Sequence, residues 1–216
     1  MRVAGTILLI AWIFPTVVAA QAELSLYGGA HRVADSRVSG RDPTGTGGFG
    51  FTAGWGGSSA LNQPDYGMRL TWWQNQSFGW GVELNHSEVA ATSQDLANNN
   101  LNTLDFSGGL NLVTVNAYHR WRKPARRLTP YVGAGFGLAV PKVGFDSGGG
   151  KTSEYQMTGP AVQWVAGASY SINERLSLFG EYKGSYSMNS ADLVSGGELN
   201  TNLLTSAVNI GVSLGF

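Results

Sequence analysis

The sequence has no cysteine and few charged residues, and each shortage excludes a class of protein. Without cysteine this chain has no disulfide framework, no thiolate metal site and no cysteine nucleophile. Only 13% of the 216 residues are charged, and the 14 basic side chains balance the 14 acidic ones. A chain with this balance does not attract nucleic acid through its overall charge.

Long apolar runs are also scarce, because the only one lies at the N-terminus. Residues 3–20 are uncharged, and the run ends at the small-x-small sequence Ala20-Gln21-Ala22. This pattern is typical of a secretory signal peptide. We predict a leader over residues 1–22 and one mature domain over residues 23–216, with a retained N-terminal anchor as the alternative. No later segment has the pattern of a membrane-spanning helix, so the sequence excludes a helical membrane protein.

What the sequence does contain is glycine, with 31 residues, and short segments that alternate apolar with polar residues. In the last segment, every second residue from Val208 to Phe216 is apolar, and Asn209 and Ser213 lie among the residues between them. Segments of period two are strands with two different faces. Too few helical patterns are present to cover the apolar faces. We therefore expect lipid to cover them, which requires a closed barrel.

This reasoning predicts an all-β fold, an eight-stranded antiparallel transmembrane up-and-down β-barrel. The strand number must be even if both chain ends lie on one side of the membrane. The predicted strands lie near residues 23–33, 66–74, 78–90, 110–121, 129–140, 160–170, 175–187 and 203–216. Residues 48–57 also alternate, but a ninth strand would break the parity. We expect them outside the membrane, as an arm of the first outer loop or an extension of the second strand.

The lengths of the connections predict the orientation of the barrel. The connections at residues 74–77, 122–128 and 171–174 are short, whereas the others are long. Short turns of such barrels face the periplasm, so we expect the bacterial outer membrane as the location, with both termini periplasmic. Aromatic residues, which prefer membrane interfaces, cluster near these turns. They are Trp72, Trp80, Trp121, Tyr170 and Phe216.

The polar strand faces are expected to fill the barrel, since eight strands leave only enough room for side chains. Arg69, Glu83, Glu181 and Lys183 are therefore expected to pair with one another instead of lining a channel. The other residues predicted to point inward are Tyr27, His31, Asn85, Asn116, Tyr118, Arg120, Tyr131, Gln163 and Asn209. The residues predicted to face lipid are Leu24, Leu26, Met68, Leu70, Trp72, Trp80, Val82, Leu84, Val113, Val115, Val132, Phe136, Leu138, Val162, Trp164, Leu176 and Leu178.

Two motifs in the connections have simple interpretations. Residues 146–152 resemble a phosphate-binding loop, but Phe145 occupies the position at which that motif needs its first glycine, so we predict a flexible outer loop. Residues 120–127 are strongly basic, but they fall in a predicted periplasmic turn with no nucleic-acid-binding fold around them. We predict a solvated turn and no nucleic-acid partner.

Histidines are the main candidates for chemistry, and the sequence has three of them, His31, His86 and His119. His86 and Glu88 are two residues apart near the outer end of a predicted strand, so their side chains share a face. Such a pair could bind a divalent cation, act as an acid and base, or form only a hydrogen bond at the rim. His119 is expected at the inner rim. No cofactor fingerprint is evident in the sequence.

Two resemblances to known proteins follow from these residues. The last eight residues, with Asn209, Gly211, Leu214 and Phe216, resemble the C-terminal signal of outer-membrane barrels, which implies the barrel assembly machinery as a partner. Phrases across the mature chain resemble the lipid A oxidase family of outer-membrane barrels. These phrases lie at residues 23–28, 51–55, 66–73, 112–118, 129–133, 154–160 and 179–183.

The second resemblance implies oxidation of the proximal glucosamine of lipid A to 2-aminogluconate. It also implies molecular oxygen as the electron acceptor, hydrogen peroxide as the by-product and help from a divalent cation. The expected partners are the lipids of the outer membrane, lipopolysaccharide above all, and we expect the barrel to be a monomer. The alternative is a non-catalytic OmpA-like barrel with a structural or adhesive role.

Under the lipid A hypothesis, the candidate catalytic residues are His86, Glu88 and His31, and His86 and Glu88 are also the candidate metal ligands. The loop acids Asp105 and Glu154 are further candidates for metal or proton handling. The candidates for binding the phosphate or acidic groups of the substrate are Arg37, Arg41, Lys142 and Lys151.

Overall fold

The computed structural model describes residues 21–56, 65–123 and 125–216. Most of the predicted leader, residues 1–20, lies outside the described residues. Its last two residues, Gln21 and Ala22, pair with Trp73 and Trp72 at the start of the first strand. The leader and its cleavage site remain predictions.

The described residues form thirteen strands and one short helix. Their bounds are β1 Gln21–Val33, β2 Ser36–Asp42, β3 Gly47–Ala53, β4 Trp55–Gly56, β5 Asp65–Trp73, β6 Phe78–Ala91, α1 Ser93–Asn98, β7 Thr103–Arg120, β8 Leu128–Ala139, β9 Lys142–Asp146, β10 Lys151–Tyr155, β11 Gly159–Ser171, β12 Leu176–Asp192 and β13 Glu198–Gly215. No helix in the described ranges is long and apolar enough to cross a membrane.

Eight of these strands form a closed wall, in which each strand pairs antiparallel with the next. Their order around the wall is β1, β5, β6, β7, β8, β11, β12 and β13. The ring closes because β13 pairs with β1 from Glu23 opposite Gly215 to Val33 opposite Thr205. Closure leaves no open sheet edge in the wall. The predicted eight-stranded up-and-down barrel is confirmed.

The wall strands are longer than predicted at the end with the long connections. The strands predicted near residues 175–187 and 203–216 both extend into the connection between them, because β12 continues to Asp192 and β13 begins at Glu198, paired in register throughout. Leu199 and Leu203, on the extended part of β13, are fully buried. The extension therefore packs against an apolar interior that is built by residues distant in sequence.

Residues 48–57 combine the two predicted arrangements as far as they are described. Most of the segment belongs to β3, which forms a hairpin with β2, and β2 in turn pairs with the extended part of β13. Trp55 and Gly56 of β4 pair with Ala91 and Ala90 at the end of β6, so they extend the wall. Residue 57 lies outside the described residues.

The connection over residues 146–152 is not the flexible loop that the sequence predicts. It joins β9 to β10, which pair from Lys151 opposite Asp146 to Tyr155 opposite Lys142. Gly148 and Gly150 supply positive φ angles of 91° and 138° in the turn, which glycine adopts without steric cost. The hairpin also pairs with the start of β7, so it is held against the wall.

The prediction of the two strand faces is confirmed by burial. Each residue predicted to point inward is buried, and none of the residues predicted to face lipid is buried. On the outward surface, Ile210 and Phe136 are more than two thirds exposed in the isolated chain. A continuous apolar band of this kind is what a bilayer covers.

The inward charges form one connected network across the barrel. Arg69 donates from Nε to Glu83 at 2.8 Å and from Nη2 to Glu181 at 2.9 Å. Lys183 Nζ contacts Glu83 and lies 3.5 Å from Glu181. Tyrosine hydroxyls complete the set, since Tyr131 donates to Glu181 at 2.7 Å. Buried charges are tolerated only when they are paired in this way.

An apolar cluster fills the barrel beyond this network, at the end with the long connections. Among its largest buried side chains are Leu104, Phe106, Phe145 and Leu199. Loop residues contribute to it, because the ring of Trp55 lies 6.0 Å from that of Phe106. The strand extensions and hairpins are therefore organised around a core like that of a soluble protein.

Two carboxylates hold the loops of this end together. Asp95, in α1, accepts hydrogen bonds from the Gly54 amide at 2.8 Å and from the Thr92 hydroxyl at 2.7 Å. These bonds lower the pKa of Asp95 below its ordinary value. Asp42 is buried, which raises its pKa, but hydrogen bonds from the Ser147 hydroxyl and the backbone outweigh burial and lower it. The first outer loop is thus tied to α1 and to the turn between β9 and β10.

Removing one member of the charge network should destabilise the barrel strongly. Glu83→Ala leaves Arg69 and Lys183 buried without their shared partner, and we expect the free energy of unfolding to fall by about 3–5 kcal/mol. Urea unfolding in detergent, followed by tryptophan fluorescence, measures this loss. Glu88→Ala, on the outward face of the same strand, is the matched control and should change it by less than about 0.5 kcal/mol. Equal effects would contradict the network's role.

Acid should release the bond between Asp95 and Gly54. Because the folded-state pKa of Asp95 lies below the ordinary 3.8, the stabilisation is present above pH 3.8 and is lost as the pH falls through the lowered pKa. Amide hydrogen exchange at Gly54, compared between the wild type and Asp95→Ala, should show protection in the wild type near neutral pH only. Protection that persists unchanged in strong acid would show that Asp95 does not anchor the loop.

Candidate functional site at the long-loop rim

His86 and Glu88 lie near the long-loop end of β6 with their side chains on the outer surface. Their neighbours Asn85, Ser87 and Val89 are buried and point inward. Both candidates are half-buried. The predicted common face is therefore present, and it is the outward one.

A β-bulge interrupts the regular pairing of β6 with β7 at Glu88, two residues beyond His86. Ser87 lies opposite Leu110 in β7, but Val89 lies opposite Phe106, so Glu88 faces the three residues 107–109. Bulges of this kind redirect side chains and are frequent next to active sites. Gly109 has a φ of 105°, and a Cβ there would lie 2.2 Å from Cε1 of His86. The absence of a side chain at Gly109 therefore makes room for the His86 ring.

The His86 ring is held by the residues directly opposite it on both neighbouring strands. Tyr66 of β5 stacks on the imidazole with ring centroids 4.6 Å apart. Asn111 of β7 places its Oδ1 2.8 Å from His86 Nδ1. These two contacts, one on the face of the ring and one at Nδ1, restrict the rotation of the His86 side chain.

The contacts of Asn111 determine which nitrogen of His86 carries the proton. The Asn111 amide nitrogen donates to the Val140 carbonyl at 3.1 Å and to the Gly109 carbonyl at 3.3 Å, so the oxygen must face His86. Since an amide oxygen only accepts, His86 Nδ1 donates to it. In the neutral imidazole Nε2 is then the unprotonated nitrogen, free to accept a proton or bind a cation.

The β9–β10 hairpin brings Lys142 and Tyr155 beside the bulge. Lys142 extends over Gly108, where a Cβ would lie 2.2 Å from the lysine Cδ. Tyr155 donates its hydroxyl to the Gly108 carbonyl at 3.1 Å. One predicted substrate-binding cation thus lies next to the strand segment that supports His86.

The structure does not bring the remaining candidates to this point. His31 is buried inside the barrel, where Nε2 lies 3.0 Å from the Glu88 carbonyl oxygen, so it meets the backbone of Glu88 and not its side chain. Arg37 and Arg41 are exposed on β2, which pairs with β13, three strands from β6 around the wall. Lys151 is exposed opposite Asp146.

The acids of the outer loops also lie apart from His86. Glu154 is exposed and accepts a hydrogen bond from Gln156 at 3.1 Å. Asp105 lies opposite Ala90 of β6 and Gly144 of β9. Within the described part of the chain, no group of three or more His, Asp or Glu side chains is arranged to hold a metal ion. His86 and Glu88 as metal ligands therefore remain a prediction.

The opposite end of the barrel carries the predicted aromatic residues. Trp72 stacks on Trp80 with centroids 4.6 Å apart, and His119 packs edge-on against Trp121 at 4.7 Å. His119 is thus an outward-facing histidine like His86, but it lies at the short-turn rim and has an aromatic neighbour instead of an amide partner.

Solved structures of outer-membrane proteins share this architecture. Neisserial surface protein A is 14% identical with a TM-score of 0.55, and the match covers 90% of this chain and 97% of that one. The N-terminal β-barrel domain of Pseudomonas aeruginosa OprF is 14% identical with a TM-score of 0.51, over 91% and 98% of the two chains. This chain has the fold of the small outer-membrane β-barrels.

A third structure, the outer membrane protein AlkL in lipid bilayers, is 14% identical with a TM-score of 0.50, over 94% of this chain and 95% of that one. Identities this low establish the fold and not the activity. No family model and no curated protein matches the sequence.

The protonation of the His86 ring can be tested directly. In the wild type, the ¹⁵N shifts of the ring nitrogens should report Nδ1–H, and Asn111→Ala should shift the ring towards Nε2–H because the acceptor is lost. Asn111→Asp keeps an oxygen acceptor and should preserve Nδ1–H. His119 provides an internal control whose shifts stay constant. A wild-type His86 with its proton on Nε2 would refute the arrangement.

Proposed function

We propose that this protein is an outer-membrane enzyme that oxidises the proximal glucosamine of lipid A to 2-aminogluconate with molecular oxygen. The single observation that carries the proposal is the position of His86. A histidine with its unprotonated nitrogen free lies on the outward surface, at the rim that carries the long loops. In an outer-membrane barrel this surface faces the outer leaflet, where lipid A lies.

The proposal includes an orientation in the membrane. The apolar outward band spans the bilayer, the short turns with both termini lie in the periplasm, and the long loops lie outside the cell. Short periplasmic turns and aromatic residues at the interfaces are general features of such barrels. The C-terminal residues Asn209 to Phe216 would serve the barrel assembly machinery, and one monomer would suffice for the site.

The chemistry assigned to His86 is that of a general base. Oxidation of the anomeric hydroxyl to a lactone removes the hydroxyl proton, which Nε2 of His86 can accept if the hydroxyl is within hydrogen-bond reach. The carbon-bound hydrogen leaves with two electrons to molecular oxygen, which takes up the hydroxyl proton as well and becomes hydrogen peroxide. Water then opens the lactone to 2-aminogluconate, so the product gains one oxygen atom. In the neutral ring, the bond to Asn111 places the proton on Nδ1 and leaves Nε2 as the accepting nitrogen. Lys142, beside the bulge, would bind a phosphate or acidic group of the headgroup.

A divalent cation fits this surface only in part. His86 and Glu88 offer two ligands, whereas zinc sites use three or four protein ligands and calcium sites six to eight oxygens. His31, the third candidate, points to the other side of the wall. We therefore derive no step through a cation. Arg37, Arg41 and Lys151 would meet the sugar phosphates only at the outer edges of the headgroup layer.

The experiment is mass spectrometry of lipid A from cells that express the wild type or a variant. The wild type should add the mass of one oxygen atom in the presence of oxygen and not in its absence. His86→Ala should abolish this addition, and His119→Ala, the matched outward histidine at the other rim, should retain it. Heat-modifiable migration in gels verifies that each barrel folds. Unchanged lipid A with a folded wild type would refute the oxidase function.

A structural or adhesive role is the second candidate, and the apolar cluster under the outer loops favours it. That core holds the β2–β3 and β9–β10 hairpins in defined positions, as a surface for binding another molecule requires. The same lipid A measurement separates the two functions, because an adhesive barrel leaves lipid A unchanged in every variant.

A further inference from the structure

A cavity of about 710 Å³ lies inside the barrel at the short-turn end, opposite the His86 site. Its inner wall carries the aromatic rings of Trp73, Tyr118 and Phe179 and the hydroxyls of several serines and threonines. Its mouth is formed by the turn residues 122–123, 125–127 and 172–175. The volume falls within the range of about 300–1,000 Å³ that small-molecule sites occupy.

The charges that line this cavity are mostly positive. Six basic residues contribute to the middle and the mouth, and they are Arg120, Arg122, Lys123, Arg126, Arg127 and Arg175. Only two acidic side chains line it, Glu23 and Glu174. The deeper Arg69 is neutralised by Glu83 and Glu181 in the network described above. Charges of one sign around a partly enclosed space reinforce one another.

Arg120 shows that the basic stretch is not only a solvated turn. Its side chain is buried, and its guanidinium carbon lies 3.6 Å from the centroid of the Trp73 ring. Nε donates to the Gln76 carbonyl at 3.0 Å, and Nη1 lies 3.8 Å from Glu23. Glu23 also accepts from the Trp73 indole at 3.2 Å. These contacts fix the guanidinium in the cavity wall before any ligand arrives.

We propose that this cavity binds a phosphate-bearing anion. Arginine recognises phosphate through paired N–H donors, and the cavity supplies one preformed arginine together with exposed cations on the turns. The serine and threonine hydroxyls suit a hydrated polar group. Phosphate could reach the cavity on a free solute or on the headgroup of an inner-leaflet phospholipid. This site is independent of the proposed action on lipid A.

The test uses inorganic pyrophosphate, titrated calorimetrically into the full chain in zwitterionic detergent. One pyrophosphate should bind per barrel, and the double variant Arg126→Gln/Arg127→Gln should weaken binding by about tenfold or more. Both residues are exposed on a turn, so the variant should fold. The control, Arg32→Gln, removes an exposed arginine of β1 that belongs to neither proposed site and should leave the affinity unchanged.

The titration is repeated in bilayer nanodiscs to identify the source of the phosphate. If phosphatidylglycerol nanodiscs weaken pyrophosphate binding relative to phosphatidylcholine nanodiscs, the cavity accepts a lipid headgroup. If both give the same affinity, the ligand is a free anion. The absence of saturable binding by the wild type, or equal weakening by the Arg126→Gln/Arg127→Gln variant and by the Arg32→Gln control, would overturn the proposal whatever the lipid A experiment shows.

Discussion

The pairing of β1 with β13 is the interaction on which the rest of the structure depends. It closes the wall, so that β1 and β13 each pair with a strand on both sides and no strand of the wall has an open edge. Closure also fixes which side of each strand is inside, because side chains alternate at every residue. A shift of one residue would place Arg69 and Glu83 in the apolar band and their apolar neighbours in the interior.

The interior of the barrel is packed in two different ways, by a charge network and by an apolar cluster, and together they lie between the two proposed functional regions. The charge network occupies the middle of the barrel, and its ion pairs compensate for the loss of water around Glu83 and Arg69. Beyond it, the apolar cluster supports the outer hairpins, and in the other direction the interior widens into the basic cavity. Function is therefore expected at the two rims. The proposed lipid A site and the proposed anion site share no residue.

Local irregularity produces the rim site. Regular strand pairing alternates side chains between the two faces of the wall but leaves no extra space for the imidazole ring of His86. The bulge at Glu88 and the positive φ of Gly109 create that room, and Asn111 orients the imidazole within it. A rigid scaffold with one bulge thus presents a titratable group outward without any deep pocket, which suits a substrate that is itself part of the membrane.

The sequence by itself determined the eight strands, the inward and outward residues and the short-turn aromatics, because these depend only on period two and on turn length. Asn111 and Lys142 could not be assigned, because a long loop and a bulge separate them from His86. Only the tertiary structure decided the strand extensions around Leu199 and the contacts that hold Arg120 against Trp73 in the cavity wall. Each depends on packing between residues far apart in the chain, and the alternation of apolar and polar residues along a strand does not predict such packing.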